Sequence, residues 1–171
     1  MIRVNGYRKF IGIDPGANGF VSVLIYDEYD DLVGSDYLPM PMVYGRVGGL
    51  ELYDFLLKHK DCEVCVVEDV HAIYGSSAKS NFSFGRNVGG LHAILDAVPI
   101  KFELIQPKTW QSGVILGGIN SKDTKVRSIH SAGVHFPLED LRKSSRATKP
   151  HDGKTDSMLM ALYGKKFLAK S

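Results

Sequence analysis

Four carboxylates stand where a carboxylate is costly unless something offsets its charge. Asp14 ends the apolar run Phe10-Ile11-Gly12-Ile13 and is followed at once by Pro15-Gly16. Glu68 ends a second such run, Val64-Cys65-Val66-Val67. Asp152 and Asp156 lie four apart at the head of a segment that continues Met158-Leu159-Met160-Ala161-Leu162. A buried, unpaired charge costs several kcal/mol, so each acid belongs at the end of its element, facing a cation or a phosphate. Gathered together they also repel: one pair 4 Å apart costs about 4 kcal/mol at an effective dielectric of about 20. A cation relieves that repulsion, and all-oxygen ligands select Mg²⁺ or Mn²⁺ over zinc. Two such ions activate a water against a phosphodiester and stabilise the leaving 3′-oxygen. Singly, each acid has an ordinary reading as a turn residue, a strand-end acid or a partner of a helix N-terminus. Their joint order along the chain is what points to a site.

The elements that must position these acids can be read in outline. Residues 8–15 and 19–26 read as antiparallel strands joined at Asn18-Gly19, and 32–38 as a third strand after the acidic tip 27–31. Pro39-Met40-Pro41-Met42 breaks regular structure, and a helix follows over about 48–59. Residues 62–68 read as a strand of continuous apolar character from Val64 to Val67, the pattern of a strand covered on both faces. A polar loop leads to a helix over 81–97 that carries Gly85, Gly89 and Gly90. Each interior glycine costs up to about 1 kcal/mol of helix propensity, which suggests close approach by another helix or backbone, or by a second copy of the chain. Residues 98–105 form a short strand and Pro107 opens a helical turn. Ser121 and Asp123 cap a helix to about 132, and the last helix covers about 152–168. The segment 138–150, basic and poor in apolar residues, is expected to be loose without a ligand.

A meander of three strands followed by strand–helix alternation implies an α/β fold, a mixed sheet with helices on both faces. If the first and fourth strands are neighbours, Asp14 and Glu68 lie close together. The last helix then lays Asp152 and Asp156 across them, because residues four apart share a face.

The 171 residues suit one domain spanning 1–171. A hydrophobic fraction of 44% and a charged fraction of 23% are those of an ordinary globular chain. No apolar run approaches the roughly 20 residues that cross a bilayer, and Met1 to Gly6 lacks a signal-peptide core, so a cytoplasmic location without membrane contact is expected. Cys62 and Cys65 are a lone C-x-x-C pair in a strand-like run and read as buried free thiols, not as a zinc site. Net charge is only +2, but residues 1–100 carry 8 basic and 13 acidic residues and residues 101–171 carry 13 and 6. One half suits metal and the other suits phosphate.

Four blocks carry a family resemblance: Gly12-Ile13-Asp14-Pro15-Gly16 with Gly19, Val67-Glu68-Asp69-Val70, Gly85-Arg86-Asn87-Val88-Gly89-Gly90-Leu91, and Asp152 to Ala161. In this order, over about residues 10–165, the chain resembles the RuvC-type Holliday junction resolvases, and its Asp-Gly-Lys-Thr-Asp form looks like the phage-encoded branch. The resemblance implies an RNase H-like fold with a five-stranded sheet, a homodimer, two Mg²⁺ ions replaceable by Mn²⁺, no nucleotide cofactor, and paired nicking of four-way or other branched DNA. Asp14, Glu68 and Asp156 match metal-binding acids. The family's fourth ligand falls at Gly153, so Asp152, or else His151, takes that role. Lys108 matches a lysine near the scissile phosphate, and Lys125 or Lys122 a second basic position. His71 or Tyr74 stands where the family has an aromatic wedge for a junction base, since either ring can stack on a base. Lys79, Arg86, Arg142, Lys143 and Arg146 complete the expected DNA-binding set.

Three rivals are weighed against this reading. An ATP-binding protein of the actin or sugar-kinase type shares the Gly-Ile-Asp-x-Gly hairpin but needs a duplicated domain, for which 171 residues are too few. A non-catalytic DNA-junction binder does not require four clustered acids. An RNase H or a YqgF-like RNA-processing nuclease shares the metal chemistry and differs in substrate.

Overall fold

The computed structural model describes residues 6–72 and 74–169; the N-terminal residues read for a signal segment lie mostly outside that range. In chain order the elements are β1 (Arg8–Ile13), β2 (Phe20–Tyr26), β3 (Leu32–Pro39), β4 (Met42–Val43), β5 (Arg46–Val47), α1 (Gly49–Lys58), β6 (Val64–Glu68), α2 (Ala78–Ala97), β7 (Phe102–Ile105), α3 (Pro107–Val114), α4 (Thr124–His135) and α5 (Asp152–Tyr163). A π-helical turn, Gly164–Leu168, continues α5. The main sheet has the order β3-β2-β1-β6-β7. β1, β2 and β3 pair antiparallel, whereas β6 joins β1 and β7 joins β6 in parallel. The mixed α/β sheet is the one expected from the order of strands and helices, and its five strands, three antiparallel and then two parallel, are those the resemblance implies.

Side chains alternate across the sheet, and the two faces acquire separate cores. Phe10, Leu24, Val64 and Val66 pack with Trp110 of α3, Ala132 of α4 and Met158, Leu159 and Leu162 of α5. Ile11, Ile13, Val21, Val23, Cys65 and Val67 point the other way, onto Leu52 and Leu56 of α1 and Leu91 and Leu95 of α2. The central strands are therefore apolar on both faces through most of their length, with Ser22 of β2 the buried polar exception. Cys62 and Cys65 are free thiols, and burial pushes Cys62 up to about 12.

Four expectations need correction. The proline-flanked stretch after β3 does not simply break structure: β4 and β5 pair across a turn at Tyr44 and Gly45, whose φ values are +50° and +71°. α2 begins three residues early because Ser77 caps it, accepting from the Ser80 amide. No described residue approaches Gly85, Gly89 or Gly90, where an added Cβ would meet open space, so a close neighbour within the described chain is ruled out and only the second-copy alternative is left. Finally, 138–150 is not loose. Arg142 pairs with Asp140 at 2.8 Å, reaches the Ala147 carbonyl and bridges to Pro150, while Glu139 accepts from the Tyr37 hydroxyl at 2.6 Å.

Candidate active site

Register brings the first two acids together. Ile13 is paired with Val67 in the parallel β1–β6 ladder, so the next residues, Asp14 and Glu68, leave the same end of adjacent strands. Counting by twos through Phe10 and Gly12, and through Val64 and Val66, puts both acids on the α5 face. α5 lies against this face at Gly12, where a Cβ would stand 1.9 Å from the Ser157 carbonyl oxygen. A buried 2.6 Å hydrogen bond between the Ser22 and Ser157 hydroxyls fixes the helix on β2. At the mouth of the site Gly153 does the same, since its Cβ would lie 2.6 Å from the Asn18 carbonyl oxygen and 2.9 Å from Asp14 Oδ2. Glycine thus fills the position where the resemblance expects a ligand, and Asp14 takes up the space. A shallow cleft lined by Asp14, Gly16, Asn18, Lys125, Asp152 and Asp156 opens there.

The acids differ in their charge balance. Burial pushes the Asp14 carboxyl above its ordinary range, opposed by the Gly16 amide at 3.1 Å and reinforced by Asp152. Burial likewise raises Glu68, opposed by the Trp110 indole N–H, which donates to Oε1 at 3.0 Å, and reinforced by Asp14. Asp156 is pushed up to about 7, first by burial; the Ser128 hydroxyl nearby opposes this, and Asp14, Glu68 and Asp152 add to it. Neither Asp156 Oδ1 nor Ser128 Oγ, both buried, makes a hydrogen bond of good geometry. Asp152 is the opposite case. Lys125 Nζ lies 2.6 Å from Asp152 Oδ2, and that bond holds the carboxyl below its ordinary range.

The donor set suits a hard divalent cation: every candidate ligand is a carboxylate oxygen, and the buried Asp156 Oδ1 lacks a partner. Among the described residues, no three His, Cys, Asp or Glu side chains are jointly placed for ligation, and Lys125 engages Asp152. His151 is turned to another task. It caps α5, accepting weakly from the Lys154 amide through Nδ1 at 3.3 Å, and its ring packs 5.0 Å from that of Phe20.

The basic and aromatic candidates divide. Lys108 opens α3, Lys122 precedes the Asp123 cap of α4, and Lys79 lies in the first turn of α2; all three are exposed. His71 is 3.9 Å from Asp69, and Tyr74 is fully exposed in the loop after Glu68. Lys143 and Arg146 are exposed on the 138–150 segment, whereas Arg142 is tied to Asp140. Arg86 donates to the Gly45 carbonyl on the β4–β5 turn and stands away from the acids. The sequence reading did not give site roles to Gly12, Gly153, Trp110 or Ser128. For Trp110 there was a signal: the only tryptophan, on a short helix directly after a strand, adjoins the lysine already singled out.

No protein-family model matches the chain, and no curated protein matches it. Solved structures do match. The fold resembles that of several solved Holliday junction resolvases, at identities low enough that the likeness concerns the fold alone. Thermus thermophilus RuvC, in complex with a Holliday junction substrate, superposes with a TM-score of 0.60 at 13% identity over 95% of this chain and 98% of that one. Fowlpox virus resolvase with Holliday junction DNA gives 0.52 at 14% over 95% and 99%. The yeast mitochondrial resolvase Ydc2 gives 0.54 at 16% over 91% and 77%.

Proposed function

We propose that the chain, as one domain over residues 1–171, is a divalent-metal-dependent endonuclease that resolves four-way DNA junctions by paired nicks. The observation that carries this reading is that parallel pairing sends Asp14 and Glu68 out of the same end of two adjacent strands, toward the α5 face that carries Asp156, whose carboxyl both of them raise, on a fold shared with solved Holliday junction resolvases. Asp14, Glu68, Asp152 and Asp156 would hold two Mg²⁺ ions, with Mn²⁺ as a substitute. A metal held by these carboxylates would supply a nucleophilic water and charge stabilisation for the leaving oxygen. The protein's own part is positional. Trp110 orients Glu68, Gly16 holds one oxygen of Asp14, and Lys125 neutralises Asp152 until that carboxylate is needed. Lys108, Lys122, Lys125, Lys79, Lys143 and Arg146 face solvent and suit phosphate contacts, while His71 and Tyr74 are the exposed rings for base stacking. Arg86 and Arg142, engaged with protein carbonyls and Asp140, are left out of that set.

A homodimer through α2 fits the same reading. The open faces of Gly85, Gly89 and Gly90 adjoin a groove of about 650 Å³ between α2, the start of α1 and β4–β5. Exposed Leu50 and Val43 and the buried, unpaired Asn87 Oδ1 belong to this region. No helix among the described residues is long and apolar enough to cross a membrane.

The test is a synthetic four-way junction with Mg²⁺. Symmetric paired nicks are expected, together with junction binding without cleavage by Asp14→Asn. Equal cutting of an RNA–DNA hybrid would instead favour an RNase H or YqgF-like activity. Binding without any nicking would favour a non-catalytic junction protein.

A further inference from the structure

The acidic helix carries a cation that the proposed chemistry does not use. Lys154 lies between Asp152 and Asp156 on α5, yet it is only 7% exposed. A buried ammonium is costly unless its donors find partners. Here Nζ donates to the Asp140 carbonyl at 2.6 Å, faces the Arg142 carbonyl at 3.4 Å, and stands 3.8 Å from the centroid of the Tyr37 ring. Both carbonyls belong to the basic segment 138–150. Two further ties hold that segment: Glu139 accepts from Ser35 and Tyr37 of β3, and the His151 amide donates to the Leu141 carbonyl. Its acids are thereby engaged, Glu139 with β3 and Asp140 with Arg142. Lys143, Arg146 and Lys149 are left exposed, with no ion pair among the described residues.

We propose that Lys154 is a positioning residue: its buried ammonium latches 138–150 to the carboxylate helix, and Lys143, Arg146 and Lys149 thereby form a preformed clamp for duplex phosphates beside the site. The clamp rests on the nuclease reading; the latch does not. Lys154 lies two residues from each acid, on the other face of the same helical turn, so the latch ties the backbone of 138–150 to the turn that carries Asp152 and Asp156. An ordered clamp also avoids the entropy that a loose basic loop loses on binding.

The test uses the full chain, a labelled four-way junction and Ca²⁺ to permit binding without turnover. Replacing Lys143, Arg146 and Lys149 together by Gln is expected to weaken binding about tenfold or more, and to lower the slope of log K against log salt by about two to three. Lys60→Gln, an exposed charge at the opposite end of the sheet, serves as the single-charge control. Lys154→Met is expected to expose 143–149 to trypsin and to raise the KM for junction about tenfold, with the single-turnover rate at saturating protein within about twofold. Lys154→Arg is expected to restore part of the trypsin protection. An unchanged salt slope in the triple variant overturns the clamp, and this reading holds even if Lys154→Met does not fold. Continued trypsin resistance in a folded Lys154→Met overturns the latch. A wild-type protein that binds no junction at all defeats the nuclease reading, while trypsin protection still reports on the latch.

Discussion

Asp156 and Asp152 lie one helical turn apart on α5, and their surroundings shift the two carboxyls in opposite directions. Asp156 is buried with Asp14 and Glu68, has an unpaired oxygen, and is pushed toward its protonated form by burial and by its neighbours. Asp152 stands at the rim, paired with Lys125 and held toward its ionised form. The inner group has a charge deficit that only a cation or protons can relieve, whereas the rim already has a cation on a flexible tether. On the proposed reading the site has two parts: a deep set shaped by strand register and glycine contacts, and a rim carboxylate that would exchange Lys125 for a metal ion.

The largest effect that would break this comparison is on the inner set. Asp156→Asn keeps the shape and removes one buried charge. Junction cleavage should fall about a thousandfold or more, a loss of about 4 kcal/mol of transition-state stabilisation, while junction binding in Ca²⁺ persists. Its thermal stability in metal-free buffer at pH 8 should rise, because a repelling group is gone; a fall would contradict the view that these acids are uncompensated. Next comes the support of Glu68. Trp110→Phe keeps the buried ring but loses the 3.0 Å indole bond, and activity should fall about 10- to 100-fold with a weaker apparent affinity for Mg²⁺.

Stability against pH sharpens the same contrast. Asp14, Glu68 and Asp156 are all raised in the folded state, Asp156 to about 7. Between about pH 4 and 7 the folded chain therefore binds more protons than the unfolded one. In EDTA, stability attributable to these groups is present at the acidic end, is lost as the pH rises through that window, and levels off above it. Mg²⁺ at pH 8 should restore it, which urea melts with and without the metal can measure. The smallest effect is at the rim. Lys125→Met frees Asp152, so the DNA-free protein should bind Mn²⁺ about two- to five-fold more tightly, even though junction cleavage declines for want of the lysine.

Much of this was legible in the sequence because register and alternation are local rules. Two apolar strands ending in acid, with parallel pairing between them, put Asp14 beside Glu68 whatever the rest of the chain does. What could not be read depended on contacts between distant segments. Gly153 looked like a displaced ligand position, but its Cβ space is filled by Asn18 and Asp14. Lys154 carries no sequence signal of burial, because its partners are carbonyls of a loop distant from it in pattern. The same gap misjudged 138–150 as loose, since its few apolar residues gave no hint of the buried ammonium that ties it down. Gly85, Gly89 and Gly90 suggested a close neighbour, and within the described chain none exists. The β4–β5 turn places Tyr44 at positive φ, where Asn or Gly would have marked the hairpin.

The most direct test of the carboxylate site is calorimetric titration of Mn²⁺ into the DNA-free protein at pH 8, beside Asp14→Asn and Asp156→Asn. Saturable binding by the wild-type chain, weakened or abolished in both variants, is the expected result. Equal binding by all three proteins, or no binding by the wild type, would contradict a metal site built from these acids.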